Sequence, residues 1–336
     1  MKLVNKVLSF SGSLIRKSPF LLNRLINYKS DSLRIVYYHI VSKNNYPYYF
    51  DNKAISIDEF REQIIFFKKK FDVISMSEAI RLANNNDSLK KKLVITFDDG
   101  FIDNYNVAAP VLKELNCSAT FYLIGNCIDN KDLMWRNKLL LISNVDSAIL
   151  TKGLKRVAEE YELSLDGYQN LMSWSSDAIP MHKKEEVVNS LWEYSMNISV
   201  KEYLSRFKPY MTSQQILELD SQGFEFGIHS MSHPNFSRLT YKEFRDEILN
   251  SKKIIDGLVD KKVTTFTYPF GQKPSIAFEQ RLLKENPDVI EIFFGTRNKL
   301  KNIPENLITW ERDNMEHPFT IALSRFLLVS IIRSFK

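Results

Sequence analysis

Cysteine is nearly absent. Cys117 and Cys127 are the only two in 336 residues, too few for a disulfide framework, so the fold must be held by an apolar core. Cys117 precedes a strand-like run and reads as a small core residue. Uninterrupted apolar stretches are also missing: residues 319–336 are apolar but broken by Ser and Arg, which excludes a spanning helix there. No repeat or low-complexity tract occurs, and Asn84-Asn85-Asn86-Asp87 is an ordinary turn. Histidine is scarce, with five in the chain. Acid is absent from residues 1–30, which carry six basic residues.

A hydrophobic content of 44% over this length is enough for one large α/β domain. The net charge of +6 is modestly basic. It suits anionic lipid or a phosphorylated substrate, and with no nucleic-acid motif beside it, nucleic acid is not an expected partner.

The most informative stretch is Leu93-Val94-Ile95-Thr96-Phe97-Asp98-Asp99-Gly100. Apolar and β-branched residues run directly into two carboxylates and a glycine, the pattern of a buried parallel strand ending at a polar rim. Strand C-termini carry the chemistry in β/α folds, so paired acids there indicate a site. Alternation points the two side chains in different directions, leaving one to hold a metal and the other to act as a base.

A second constellation lies at His229-Ser230-Met231-Ser232-His233. Two imidazoles four residues apart can converge on one ion, and with Asp99 they make three protein ligands, the usual count for a catalytic zinc-type site. Gly227 and Pro234 bracket the pair, so a strand-to-loop setting is expected in place of a metalloprotease-type helix.

Other strands are predicted at residues 34–39, 71–74, 119–124, 224–228, 263–267 and 290–294, alternating with helices opened by Ser56/Glu59, Ser75/Glu78 and Thr240/Glu243 capping boxes. Another helix is expected near residues 105–115. Repeated βα units imply a mostly parallel sheet. From about 130 to 215 the pattern turns helical, with Trp135, Trp174 and Trp192 as anchors, and reads as an insertion beside or over the site. The expected organisation is an N-terminal basic amphipathic segment (1–30), a barrel split between 31–129 and 216–318, the insertion (130–215), and a C-terminal apolar and basic helix (319–336). Lys2 and Lys6 resemble the start of a signal peptide, but Ser and Gly break the apolar run and no small-x-small cleavage site follows. Peripheral contact with the cytoplasmic face of a membrane is the expectation instead, set against plain packing of both ends on the barrel.

Thr96-Phe97-Asp98-Asp99-Gly100 and His229–His233 resemble the first two motifs of the polysaccharide deacetylases, carbohydrate esterase family 4. Thr267-Tyr268-Pro269-Phe270-Gly271 resembles the third, with Thr where that family has Arg, and is similar to the branch that includes poly-N-acetylglucosamine deacetylases. The resemblance covers roughly residues 33–125 and 216–315. It implies a distorted, NodB-like (β/α)7-type barrel of the α/β class with an α-helical insertion. It implies a divalent ion, zinc by default with Co2+, Ni2+ or Fe2+ as alternatives, on Asp99, His229 and His233. Asp98 would be the base and the Phe270 backbone N–H would meet the oxyanion, with Tyr268, Pro269 and Arg312 at the substrate. The general acid would be His39, which ends the first strand, or His317. Arg297 or Arg312 would take over the pairing with Asp98 that Thr267 cannot make. The expected substrate is an acetamido sugar of a surface glycan or its lipid-linked precursor; a formamido sugar, an O-acetyl ester, or an inactive glycan-binding role are the alternatives.

Overall fold

In the computed structural model, residues 2–28, 33–42, 54–296 and 309–329 are described. The chain runs α1 (Lys2–Lys17), α2 (Pro19–Asn27), β1 (Arg34–Tyr38), α3 (Ile57–Lys70), β2 (Asp72–Val73), α4 (Met76–Asn84), β3 (Lys92–Phe97), α5 (Ala109–Glu114) and β4 (Thr120–Leu123). Six helices follow without a strand: α6 (Trp135–Ile142), α7 (Ser147–Glu160), α8 (Leu171–Ala178), α9 (Lys184–Ser195), α10 (Val200–Phe207) and α11 (Ser213–Ser221). The sheet resumes with β5 (Glu225–Ile228), α12 (Tyr241–Asp256), β6 (Thr265–Thr267), α13 (Ile276–Glu285), β7 (Ile292–Gly295), β8 (Thr309–Glu311), β9 (Asp313–Asn314) and α14 (Phe319–Ser324).

All strand pairings in the sheet are parallel, in the order β8-β7-β6-β5-β4-β3-β1-β9, with β2 attached to β3. The two ends of this order, β8 and β9, are halves of one extended segment separated by Arg312 alone. The first half pairs with β7 and the second with β1, so residues 309–314 close the sheet into a barrel of seven staves. The ring is distorted, since β5 and β6 meet at the single pair Ile228↔Phe266. The closing stave is absent from the strands expected from sequence. It is too short for a periodicity signal, because each half finds its partner through a different neighbour.

The helix expected near 105–115 is α5, preceded by a π-helical turn at Asn104–Ala108. Pro110 supplies no backbone N–H, which breaks the regular i→i−4 ladder at that point. Thr240 and Glu243 form the predicted box on α12, while Ser56 caps α3 by accepting from the Glu59 N–H and donates its hydroxyl to the Glu59 carboxylate. Ser75 accepts from the Glu78 N–H, but the Glu78 carboxylate turns to Arg81, so only half of that capping box forms.

Helices α6–α10 enclose a second apolar cluster built on Trp135, Trp174, Trp192 and Leu191. At the N-terminus, α1 lies on α14. A Cβ on Gly12 would fall 1.8 Å from the Thr320 carbonyl oxygen, so only glycine permits this approach. The Ser324 hydroxyl donates to the Leu8 carbonyl, and Ile15 and Ile26 are buried. The C-terminal segment is buried as well: Leu323, Phe326 and Leu327 join the main core, and Arg34 donates to the Phe326 carbonyl at 3.0 Å. Through Val329 it is therefore a packed element rather than an outward-facing one. Among the described residues no helix is long and apolar enough to cross a membrane.

Candidate active site

The acids follow β3 directly. The Asp98 N–H donates to the Tyr38 carbonyl at 2.9 Å, extending the β1–β3 ladder by one residue. The Asp98 carboxylate accepts two bonds from the Arg312 guanidinium, at 2.8 and 2.7 Å. Arg312 also donates to Thr96 Oγ1 at 3.2 Å, and its guanidinium lies over the Tyr37 ring, 4.8 Å from the centroid. The pair is fully enclosed, with side-chain exposures of 0% and 4% for Arg312 and Asp98. Burial, the largest single influence, would raise the Asp98 pKa, but the Arg312 charge and hydrogen bonds together with His229 and His39 outweigh it and hold the carboxyl below its usual value.

Asp99 turns the other way because its backbone is left-handed, φ 70°. Its Oδ1 lies 3.3 Å from His229 Nε2 and 3.5 Å from His233 Nε2. His229 follows β5, and its Nδ1 sits 2.8 Å from the Thr267 carbonyl and 2.6 Å from the Thr267 hydroxyl. A carbonyl only accepts, so Nδ1 carries the proton and Nε2 presents its lone pair. The loop to His233 is fastened by Glu247 of α12, which accepts from the Met231 and Ser232 N–H groups at 2.8 and 2.9 Å. His233 packs edge-on against the Phe270 ring at 4.6 Å, and its carbonyl accepts from the Trp135 indole at 2.9 Å. Burial pushes the His233 pKa down to about 3, keeping the ring neutral. Left-handed backbone recurs here, at Ser230, His233 and Phe270 as well as Asp99; such strain collects at functional sites.

One carboxylate oxygen and two imidazole nitrogens thus lie within 4.8 Å of one another. Asp99 Oδ1 is buried with no hydrogen-bond partner, an arrangement that is costly unless something positive occupies the space. The donor set of one oxygen and two neutral nitrogens fits a first-row divalent cation.

His39 ends β1. Its N–H donates to Glu316 Oε1 at 2.6 Å, and its Nδ1 lies 2.7 Å from Glu316 Oε2. Burial would lower its pKa, but the Glu316 charge and hydrogen bond, joined by the Asp99 and Asp98 carboxylates, outweigh burial and raise the pKa to about 9. Sequence reasoning weighed His317 and passed over its neighbour Glu316, a residue that lies 277 positions from His39. The structure brings His39 and Glu316 together, while the His317 carbonyl accepts from Gln63 at 3.1 Å.

Three expected substrate contacts need correction. Tyr268 is 1% exposed and its hydroxyl donates to Glu279 at 2.6 Å, away from Thr267. Period-two alternation accounts for this, since the residue after inward-facing Thr267 must point outward. Pro269 is buried and opens the one-turn helix that sets Phe270. Arg312 faces Asp98 inside the barrel, with its guanidinium engaged by that carboxylate. Of the two candidates to replace the missing motif Arg, Arg312 makes the pair with Asp98; Arg297 lies outside the described residues. Thr267 itself reaches Asp98, its hydroxyl 3.5 Å from Oδ1. The insertion contributes Arg136, whose guanidinium sits 4.9 Å from the Phe270 ring centroid.

A parallel β/α barrel with an Asp pair at one strand end and a His pair at another defines a class of hydrolase-like barrels. Residues 85–285 match the family profile described as polysaccharide deacetylase, and the chain belongs to that family. The Bacillus subtilis (strain 168) protein YxkH, named for the same family, is 20% identical over 246 residues, 73% of this chain. This chain spans 58% of that relative's length. Among solved structures, the fold is similar to the Streptococcus pyogenes deacetylase PplD (17% identity, TM-score 0.55, 91% of this chain and 98% of that one). It is similar also to IcaB from Ammonifex degensii (16%, TM-score 0.56, 88% and 97%). His39, Arg312 and Glu316 lie outside the matched span 85–285.

Proposed function

We propose that this protein is a metal-dependent hydrolase that removes the N-acetyl group from an acetamido sugar in a surface glycan or its lipid-linked precursor. The observation that carries the reading is the convergence of Asp99, His229 and His233 beside an Asp98 carboxylate held ionised by Arg312. Family membership supports it. Asp99, His229 and His233 would hold the cation, zinc by default with Co2+, Ni2+ or Fe2+ as alternatives. A cation there supplies Lewis acidity toward an acyl carbonyl and toward water.

The protein's own groups do the rest. Asp98 is an ionised base whose proton affinity is set by Arg312, so it can accept a proton from water during attack on the amide. Asp98 and the ligand Asp99 are consecutive at the end of β3, and His229 and His233 follow β5 of the same parallel sheet, which fixes base and electrophile relative to each other. The Phe270 backbone N–H, set by a left-handed residue, is the donor for the developing oxyanion. An amide nitrogen must be protonated to leave, and His39 with its proton retained by Glu316 is the group for that.

A mass-shift screen of the purified protein against N-acetyl, N-formyl and O-acetyl glycans is the direct test. Loss of an acetyl group from nitrogen supports the reading; loss only of formyl, or only of ester-linked acetyl, replaces it. With the active substrate, His39→Ala should lower turnover roughly 10²–10⁴-fold at unchanged metal content, while His317→Ala should have far less effect. Glu316→Gln removes the charge that keeps His39 protonated, so the alkaline limb of the pH–rate profile should move to lower pH. An unmoved limb would leave Glu316 with a purely structural role, and the opposite ranking of the two His variants would move the acid to His317.

A further inference from the structure

The first two helices have one face committed to the protein and another that, among the described residues, is left exposed. On α1, Gly12 and Ile15 face α14 and the core. Leu3, Val7, Phe10 and Leu14 recur at helical spacing on the opposite side, exposed by 76, 58, 67 and 49%. Phe20 at the start of α2 is exposed by 76%. Lone exposed apolar residues are ordinary, but a continuous stripe along a helix marks an interaction surface.

What covers this stripe follows from charge. Residues 1–30 contain basic residues and no acid. At 100° per residue, Lys6 and Lys17 fall next to Phe10, along one edge of the stripe, and both are exposed. Arg16 lies further round and is engaged with Glu62 at 2.5 Å. A second copy of the chain would bring the same basic residues against each other, which opposes self-association. An anionic lipid surface satisfies both features: the apolar side chains enter the boundary between headgroups and acyl chains, and the flanking lysines reach the phosphates. Because α1 is already folded on α14 through Gly12, docking would not have to fund the ordering of a free segment.

We infer that the exposed face of α1, with Phe20 of α2, is a docking surface for anionic phospholipid that places the protein peripherally on a membrane. The inference is independent of the hydrolase reading, since none of its residues belongs to the site.

The test is flotation of the full-length protein with vesicles of phosphatidylcholine alone and of phosphatidylcholine mixed with phosphatidylglycerol, at low and high salt. The expected result is binding to the anionic vesicles only, weakened by salt. A Phe10→Glu, Leu14→Glu variant and a Lys6→Glu, Lys17→Glu variant should each bind at least about tenfold less, with unchanged melting temperature. The lysine pair is exposed, so it tests the idea even if the first variant unfolds. Absence of flotation, or equal flotation by the lysine variant, would overturn the inference. So would light scattering that finds a dimer converted to monomer by Phe10→Glu, since the occupant would then be a second copy.

Discussion

A His233→Ala variant should stay folded, take up no stoichiometric divalent cation and lose its hydrolytic turnover. Three ligands converge in this site, and the two imidazoles point at the same Asp99 oxygen at 3.3 and 3.5 Å. Removing one leaves a carboxylate and a single nitrogen, too few to hold a cation against water. The structural cost should be modest, because the His233 side chain is in place for its nitrogen while the loop is held independently by Glu247. Metal analysis of both proteins is the check, together with their melting temperatures with and without added zinc. A ligand that binds only the native state stabilises it, by about 2.7 kcal/mol at a hundredfold excess over Kd. Wild type should therefore melt at higher temperature with zinc, and the variant should not. Equal stoichiometric metal in the two proteins would sink the assignment of these ligands.

Breaking the Asp98–Arg312 pair should affect both stability and turnover. In an Arg312→Met variant the Asp98 carboxylate stays buried without its bidentate partner, and stranding one member of a buried pair costs about 3–5 kcal/mol. Partial relief comes from protonation: without the Arg312 charge and hydrogen bonds opposing burial, the Asp98 pKa rises and the carboxyl holds its proton to higher pH than in wild type. A protonated Asp98 cannot serve as base, so activity should drop at neutral pH and recover partly as pH rises. Denaturant melts and a pH–rate profile measure the two consequences. Adding Asp98→Asn to Arg312→Met should recover part of the lost stability, because no charge is then stranded, while leaving turnover abolished. A single variant as stable as wild type, with an unshifted profile, would mean that the pair neither tunes the base nor holds the barrel seam.

The parts of the site that were legible in sequence are those whose chemistry requires a particular residue type at short spacing. Asp98 and Asp99 announce themselves by following an apolar strand, and His229 and His233 by their four-residue interval in a chain with few histidines. The strand-to-loop setting of the His pair was legible too, from Gly227 and Pro234. Tyr268 was misassigned although the needed signal was present, since alternation from Thr267 puts it on the outer face. The insertion's three tryptophans marked a second apolar cluster, but nothing in their pattern said that Trp135 would bond the carbonyl of His233.

The sequence by itself determined the acids, the imidazoles, the βα alternation and the basic apolar N-terminus, because residue type, periodicity and local spacing are properties of a few neighbouring positions. Only the tertiary structure decided what stands behind those groups. Arg312 reaches Asp98 across 214 positions and Glu316 reaches His39 across 277, and both contacts exist because residues 309–314 close the barrel between β7 and β1. The family's usual arginine is replaced by Thr267 in its own motif, yet a guanidinium arrives at the same carboxylate from the far side of the seam. A buried carboxylate requires a partner charge whatever its origin in the chain, so the need and two candidates, Arg297 and Arg312, could be foreseen from sequence, while the closed ring is what brings Arg312 to Asp98.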